Sequence, residues 1–199
     1  MFNSTLKRIF IIVTIFFTLS ACSTRESADQ YRGSTSQRLL TYSINELVSD
    51  LPDNSFAEFG TQSIYVRTHF ISKTQALVYA EQRLKMELAS RFKLNLVDSA
   101  ADADIEFDFF FTSLGTDQDV YGLSVPVFWV STDGEMPSLD ILAVRMYHGV
   151  SEMYYFIKDK KTGVTTAHDG SIARSRSDKF STPFFSFPID SLEEKSLLD

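Results

Sequence analysis

The stretch that most limits the fold of this chain is 105–112. Ile105, Phe107, Phe109 and Phe111 alternate there with Glu106, Asp108, Phe110 and Thr112. A period of two is the signature of a β-strand, and this one carries a wholly apolar face. The other face is mixed, with two carboxylates. Such a strand needs cover on one side and tolerates water on the other, as in a sheet with helices on a single face.

Two helices are available as that cover. Leu40, Ile44, Leu47 and Leu51 recur at steps of four and three, which predicts a helix over 37–51, with Ser36 as its N-cap and Pro52 as its stop. Ser72 and Gln75 match a capping box, and Leu77, Ala80, Leu84, Leu88 and Phe92 form the apolar stripe of a helix reaching about residue 92. Glu81, Lys85 and Arg91 are expected to face water.

Further strands bracket these helices. In 63–70, Ile64, Val66, Thr68 and Phe70 share one face, with Tyr65, Arg67 and His69 on the other. Residues 94–98 make a short strand. Residues 139–148 and 153–159 are expected as two strands joined around Gly149, and 164–168 as the strand that returns after a turn at 159–163, an antiparallel meander. Between 113 and 138 the pattern is lost. Val125, Val127, Phe128, Trp129 and Val130 have no obvious core slot there, and Pro126 argues against a central strand. Residues 171–181 are mostly polar with three cations. The aromatic, proline-flanked 183–188 reads as a short edge strand or a docked extended segment. The expectation is an α/β (α+β) two-layer sandwich, a mixed sheet of five or six strands with two helices on one face. It forms a single domain over 37–190, followed by an acidic tail at 191–199.

The amino end concerns location. Lys7 and Arg8 precede an apolar run, 9–19, that is too short to span a bilayer comfortably, and small residues then lead to Cys22, the single cysteine. Leu19-Ser20-Ala21-Cys22 resembles the bacterial lipobox. The resemblance implies cleavage after residue 21, a diacylglyceryl thioether on the Cys22 sulfur and an acyl amide on its nitrogen. Several acyl chains together make an anchor that does not readily leave the membrane. Ser23 rather than aspartate follows, which by the enterobacterial sorting pattern implies the outer membrane, facing the periplasm. Polar residues 22–36 read as a flexible, lipidated tether.

Charge and motifs exclude several classes of function. The formal net charge is −7, and it moves to −9 when residues 1–21 leave with Lys7 and Arg8 and no acid. An acidic chain without a basic stripe is a poor nucleic-acid binder. His69, His148 and His168 have no neighbouring His or Cys in sequence and read as partly exposed strand histidines, so no metal is expected. Asp98, Asp102, Asp104, Glu106 and Asp108 lack the glycine of an EF-hand loop, and read as a solvated turn leading into a strand. There is no Gly-x-Ser-x-Gly elbow and no glycine-rich phosphate loop, so no catalytic residue and no cofactor are expected. Tyr154, Tyr155 and Phe156 with Trp129 suit either a glycan pocket or the core of the sheet.

Four segments resemble, in order, a family of bacterial lipoproteins of unknown function: 36–40, Ser113-Leu-Gly-Thr-Asp117, 122–127 and 158–163, the last with its Asp-x-x-Thr-Gly turn. More distantly, the layout is similar to the periplasmic domain of curli-secretion, flagellar and penicillin-binding-protein-activator lipoproteins. That implies a non-enzymatic protein that docks onto another envelope protein. The curli-secretion relatives insert long strand pairs into the membrane; here 121–130 offers one such length, broken by Pro126, so no pore is expected. The candidate partner-binding residues are Val127, Phe128 and Trp129 with Phe184, Phe185 and Phe187. The alternatives are a periplasmic enzyme or glycan-binding protein acting on the cell wall, and a subunit of a secretion or surface-appendage complex.

Overall fold

The computed structural model describes residues 24–27, 33–126 and 138–190. The helices are α1, Ser34–Ser49, and α2, Gln75–Ser90. The strands are β1 Thr24–Ser27, β2 Ser63–His69, β3 Asn95–Leu96, β4 Ile105–Pro126, β5 Ser138–Asp159, β6 Thr165–Ser181 and β7 Ser186–Asp190. The sheet runs β3-β2-β4-β5-β6-β7, with β1 joined to β4. β2 lies parallel to both β3 and β4, whereas β1 and β4, and β6 and β7, are antiparallel, so the sheet is mixed as expected. Parallel neighbours need a crossover connection, and α2 supplies it between β2 and β3.

The described residues fall into two compact units. One holds residues 33–116 and 148–175, with both helices; the other holds 24–27, 117–126, 138–147 and 176–190. Strands β4, β5 and β6 contribute residues to each.

The helix-bearing unit is the predicted two-layer arrangement. α1 buries Leu40, Ile44, Leu47 and Val48, and α2 buries Ala76, Ala80, Leu84 and Leu88, at a constant step of four. Both stripes join Ile64, Val66, Ile105, Phe107, Phe109 and Phe111 in one core. Each large side chain so buried contributes roughly 1.5–3 kcal/mol. Across the helices, the Tyr79 hydroxyl donates to Asn45 Oδ1 at 3.1 Å and Arg91 donates to the Ser49 carbonyl at 2.6 Å. Phe56, between the short 3-10 turns Asp53–Ser55 and Ala57–Phe59, is completely buried. Its ring lies 4.8 Å from Phe92, 5.5 Å from Phe107 and 5.6 Å from Tyr155, centroid to centroid.

Several expectations need correction. α1 starts at Ser34 with Gly33 as its N-cap, so Ser36 lies inside the helix. The α2 cap is Thr74, whose hydroxyl accepts from the Leu77 N–H at 3.3 Å, and not Ser72. The irregular stretch expected from residue 113 is strand as far as Pro126, which ends β4. Residues 171–181 are strand too, within β6. β4 and β5 are each 22 residues long, and of the stretch 121–130 β4 takes the residues up to Pro126. The expected tether contains the paired segment β1.

Gly149 is no joint between two strands: β5 runs straight through it. A Cβ there would collide with the Leu39 backbone of α1, its carbonyl carbon at 2.6 Å, and with Ser175 Oγ at 2.6 Å. Ser175 Oγ donates to the Leu39 carbonyl at 2.6 Å, closing this contact between α1 and the sheet. Glycine is therefore required for approach, not for a turn.

Candidate functional site

Three surfaces stand out from the residues upward. The first is the uncovered face of the sheet in the helix-bearing unit. Alternation sends Ile64 and Val66 of β2 into the core and leaves Arg67 and His69 on the far side, opposite Asp108 and Phe110 of β4 in register. His69 Nε2 lies 2.8 Å from Asp108 Oδ1, and its ring stacks on Phe110 at 4.2 Å and 12°. Arg67 reaches the same carboxylate oxygen at 3.0 Å and Glu106 at 3.4 Å, and Lys158 reaches Glu106 at 3.3 Å. Phe110 stacks in turn on Tyr154 at 5.3 Å and 6°, and Phe156 meets both rings edge-on. Cross-strand pairs of this kind stabilise the sheet and present a ladder of rings flanked by charge. Tyr155 points the other way, into the core, stacked on Phe109 and on His168. Tyr154 and Phe156 thus suit a surface and Tyr155 a core, while Trp129 lies outside the described residues.

The second surface is the β7 edge. Thr182 organises the turn before it: its N–H and hydroxyl both donate to the Phe185 carbonyl, at 2.9 Å each. That turn leaves Phe184 93% exposed, and Phe185 and Phe187 also stand in solvent. Phe187 pairs with Phe180 of β6, ring to ring at 5.1 Å. β7 is an edge strand, one of the two forms expected for this segment, and Phe184 and Phe185 just before it are exposed together with its Phe187. Val127, Phe128 and Trp129 lie outside the described residues, as do Leu19, Ser20, Ala21 and Cys22.

The third surface overlaps the 121–130 stretch, which the sequence suggested as a loop for a partner rather than as strand. Tyr121, Leu123 and Val125 of β4 and Leu139 and Ile141 of β5 are each 39–50% exposed. Ser124 Oγ donates to Asp140 Oδ1 at 2.8 Å, so these two residues share the opposite face of the two strands. Arg145 grips Asp140 through Nε at 2.7 Å and Nη2 at 3.0 Å. That guanidinium, with Ser124, holds the Asp140 carboxyl below the usual carboxylate range. Apolar exposure is not confined to one face, since Leu142, two residues beyond Asp140 in β5, is 57% exposed. The strict two-residue alternation from 121 to 125 was the signal for this surface, obscured by reading the region as a loop.

The acidic cluster resolves into separate partners. Ser99 caps the short 3-10 helix Ala100–Asp102. Asp104 Oδ2 accepts from the Ser63 N–H at 3.1 Å and the Ser63 hydroxyl at 2.8 Å, with Lys161 3.2 Å from its other oxygen. These hydrogen bonds, the backbone one foremost, lower the Asp104 pKa from 3.8 to about 2. A depressed carboxylate stabilises the fold above its unfolded pKa and loses that contribution as pH falls through the folded value. Stability is therefore expected to be steady near pH 5 and to fall between about pH 4 and 2. Asp104→Asn should flatten part of that acid limb, read from urea midpoints across pH; an unchanged limb would count against the role of Asp104.

Among the described residues no three His, Cys, Asp or Glu side chains gather as a metal site requires. A cleft of about 410 Å³ lies beside the 159–163 turn, lined by Phe59, Ile157, Val164, Glu58 and Asp159. Asp159 Oδ1 is already engaged by the N–H groups of Lys161 and Thr162, at 2.7 and 3.2 Å, so it holds the turn and is not aimed at a ligand. Among the described residues no helix is long and apolar enough to cross a membrane. No known family model matches the chain, and no curated protein matches it.

Proposed function

We propose that this chain is a lipid-anchored envelope lipoprotein of the outer membrane, facing the periplasm, that works without catalysis by binding another envelope protein. The lipobox at Cys22 supports the anchoring. The observation that carries the binding role is the β7 edge, where Phe184, Phe185 and Phe187 spend apolar surface on solvent rather than on the core. Aromatic side chains displayed in this way are the usual anchors of protein interfaces. The resemblance to envelope lipoproteins of unknown function points in the same direction.

A photo-crosslinking residue placed at Phe185 in intact cells tests this. One discrete adduct with an envelope protein is expected, absent when the same residue replaces exposed Val164 beside the 159–163 turn. Identical adducts from both positions, or none, would reject the binding role.

A second reading has its own support. The ring ladder of Phe110, Tyr154 and Phe156 beside Asp108 and His69 is a stacking platform of the sort that binds sugars. On that reading the chain sediments with purified cell wall, and Tyr154→Ala abolishes it. Release of soluble wall fragments would instead favour a periplasmic enzyme. A role as a subunit of a secretion or appendage complex predicts ring-shaped oligomers after detergent extraction.

A further inference from the structure

The strand β1 ties the lipid attachment to a particular place on the fold. Thr24 pairs with Val120, Arg25 with Asp119, Glu26 with Gln118 and Ser27 with Asp117. The pairing is antiparallel, so the chain leaving Thr24 towards its amino end heads in the direction of Tyr121 and Leu123. Cys22 precedes Thr24 by two positions, and two residues reach at most about 7 Å. Acyl chains on Cys22 are therefore held close to the β4 segment that begins at Tyr121.

That segment carries the open apolar face. Tyr121, Leu123 and Val125 on β4 join Leu139 and Ile141 on β5, while Ser124 and Arg145 both bond to Asp140, beside which Leu142 adds further exposed apolar surface. Exposed apolar area this close to an acyl anchor gains by leaving water for the lipid it is tethered to. The tether is too short to hold this face far from the leaflet that takes the acyl chains.

We infer that the apolar face formed by Tyr121, Leu123, Val125, Leu139 and Ile141 is seated in the membrane leaflet that holds the lipid of Cys22. The inference rests on the lipoprotein reading, and goes beyond it by giving the anchored chain a fixed side towards the bilayer. The occupant is lipid, not protein. Attraction comes from apolar area rather than charge, so it is insensitive to salt. Tyr121, nearest the anchor, has the amphipathic ring favoured at headgroup level.

The test uses the acylated chain in phosphatidylcholine vesicles containing nitroxide-labelled lipid. Acylation occupies the natural cysteine, so Leu139→Cys and Ile141→Cys each accept an environment-sensitive fluorophore at a single, already exposed position. Val164→Cys, at an exposed position in the other compact unit, serves as the reference. Several-fold stronger nitroxide quenching and a blue-shifted emission at 139 and 141, unchanged in high salt, are expected. The mass of the same sample reports acylation of Cys22. Acylated protein with equal quenching at all three positions overturns the inference and leaves the lipoprotein reading standing. An unmodified Cys22 overturns both. Shielding at 139 that appears only when a second protein is added also overturns it, in favour of a protein partner.

Discussion

Truncating Phe56 to alanine is expected to destabilise the fold by about 3–5 kcal/mol, the range for emptying a buried aromatic site. The size of the effect is unusual for a residue outside any long element. Phe56 sits between two single-turn 3-10 helices, yet no part of its side chain reaches solvent, and three rings surround it. Phe92 follows α2, Phe107 belongs to β4 and Tyr155 to β5, so the ring joins a helix end to two strands. Its removal leaves a cavity that none of these elements can collapse to fill. The thermal midpoint should drop by roughly 6–20 °C, taking 2–4 °C per kcal/mol for a chain of this size. Phe184→Ala, with the same change of side chain at a site in full solvent, should stay within about 0.5 kcal/mol of the parent. Equal midpoints for the two variants would show that Phe56 is not the centre of the cluster.

Gly149→Ala should be the second severe change. The added methyl meets backbone on one side and a hydrogen-bonded hydroxyl on the other, and backbone cannot rotate away. Overpacking of this kind costs about 1–3 kcal/mol. Separating α1 from β5 also stretches the bond from Ser175 to the Leu39 carbonyl, which adds about 1 kcal/mol. Gly115→Ala in β4 is the matched control, since a Cβ there meets nothing within 4 Å. It should leave the melting curve unchanged or shift it slightly upwards. A Gly149→Ala protein that melts with the parent would mean that α1 yields without cost.

The parts of the fold that were legible in the chain share one property: a strict period set by burial. The strand at 105–112, the strand at 63–69 and the helix from 75 show it, because one face of each meets a dry core. Where both faces meet water or polar neighbours, the period carries less contrast. The second half of β4 alternates Asp117 and Asp119 with Gln118 and Val120, and the glycines at 115 and 122 look like loop punctuation. Gly122 is there because β5 passes too close for a Cβ, which would lie 2.7 Å from the Ala143 Cα. Gly149 misled in the same way. A glycine that admits a neighbouring backbone and a glycine that turns the chain are identical letters, and the difference lies in residues far away in sequence. Phe56 was invisible because 3-10 turns of three residues have no period to detect. Of the surfaces, the prolines marked 183–188 as an edge or docked segment, but whether Phe184, Phe185 and Phe187 face solvent or the sheet was not legible. The apolar face at 121–141 was not legible either, because it depends on a strand pairing that the letters do not announce.

The pairing of β1 has a consequence for the order of assembly. Ser27 and Asp117 are partners across an interval of about ninety residues, whereas β2 and β4 pair across about forty. Closing the longer interval costs more chain entropy, and it has nothing to close onto until β4 exists. On the lipoprotein reading proposed above, the chain is threaded out of the cytosol amino end first, so the segment nearest the lipid emerges early and stays unpaired until β4 has followed it. On that same reading, Thr24–Ser27 is open to envelope proteases during the interval, and a nick there would free the domain from the proposed lipid.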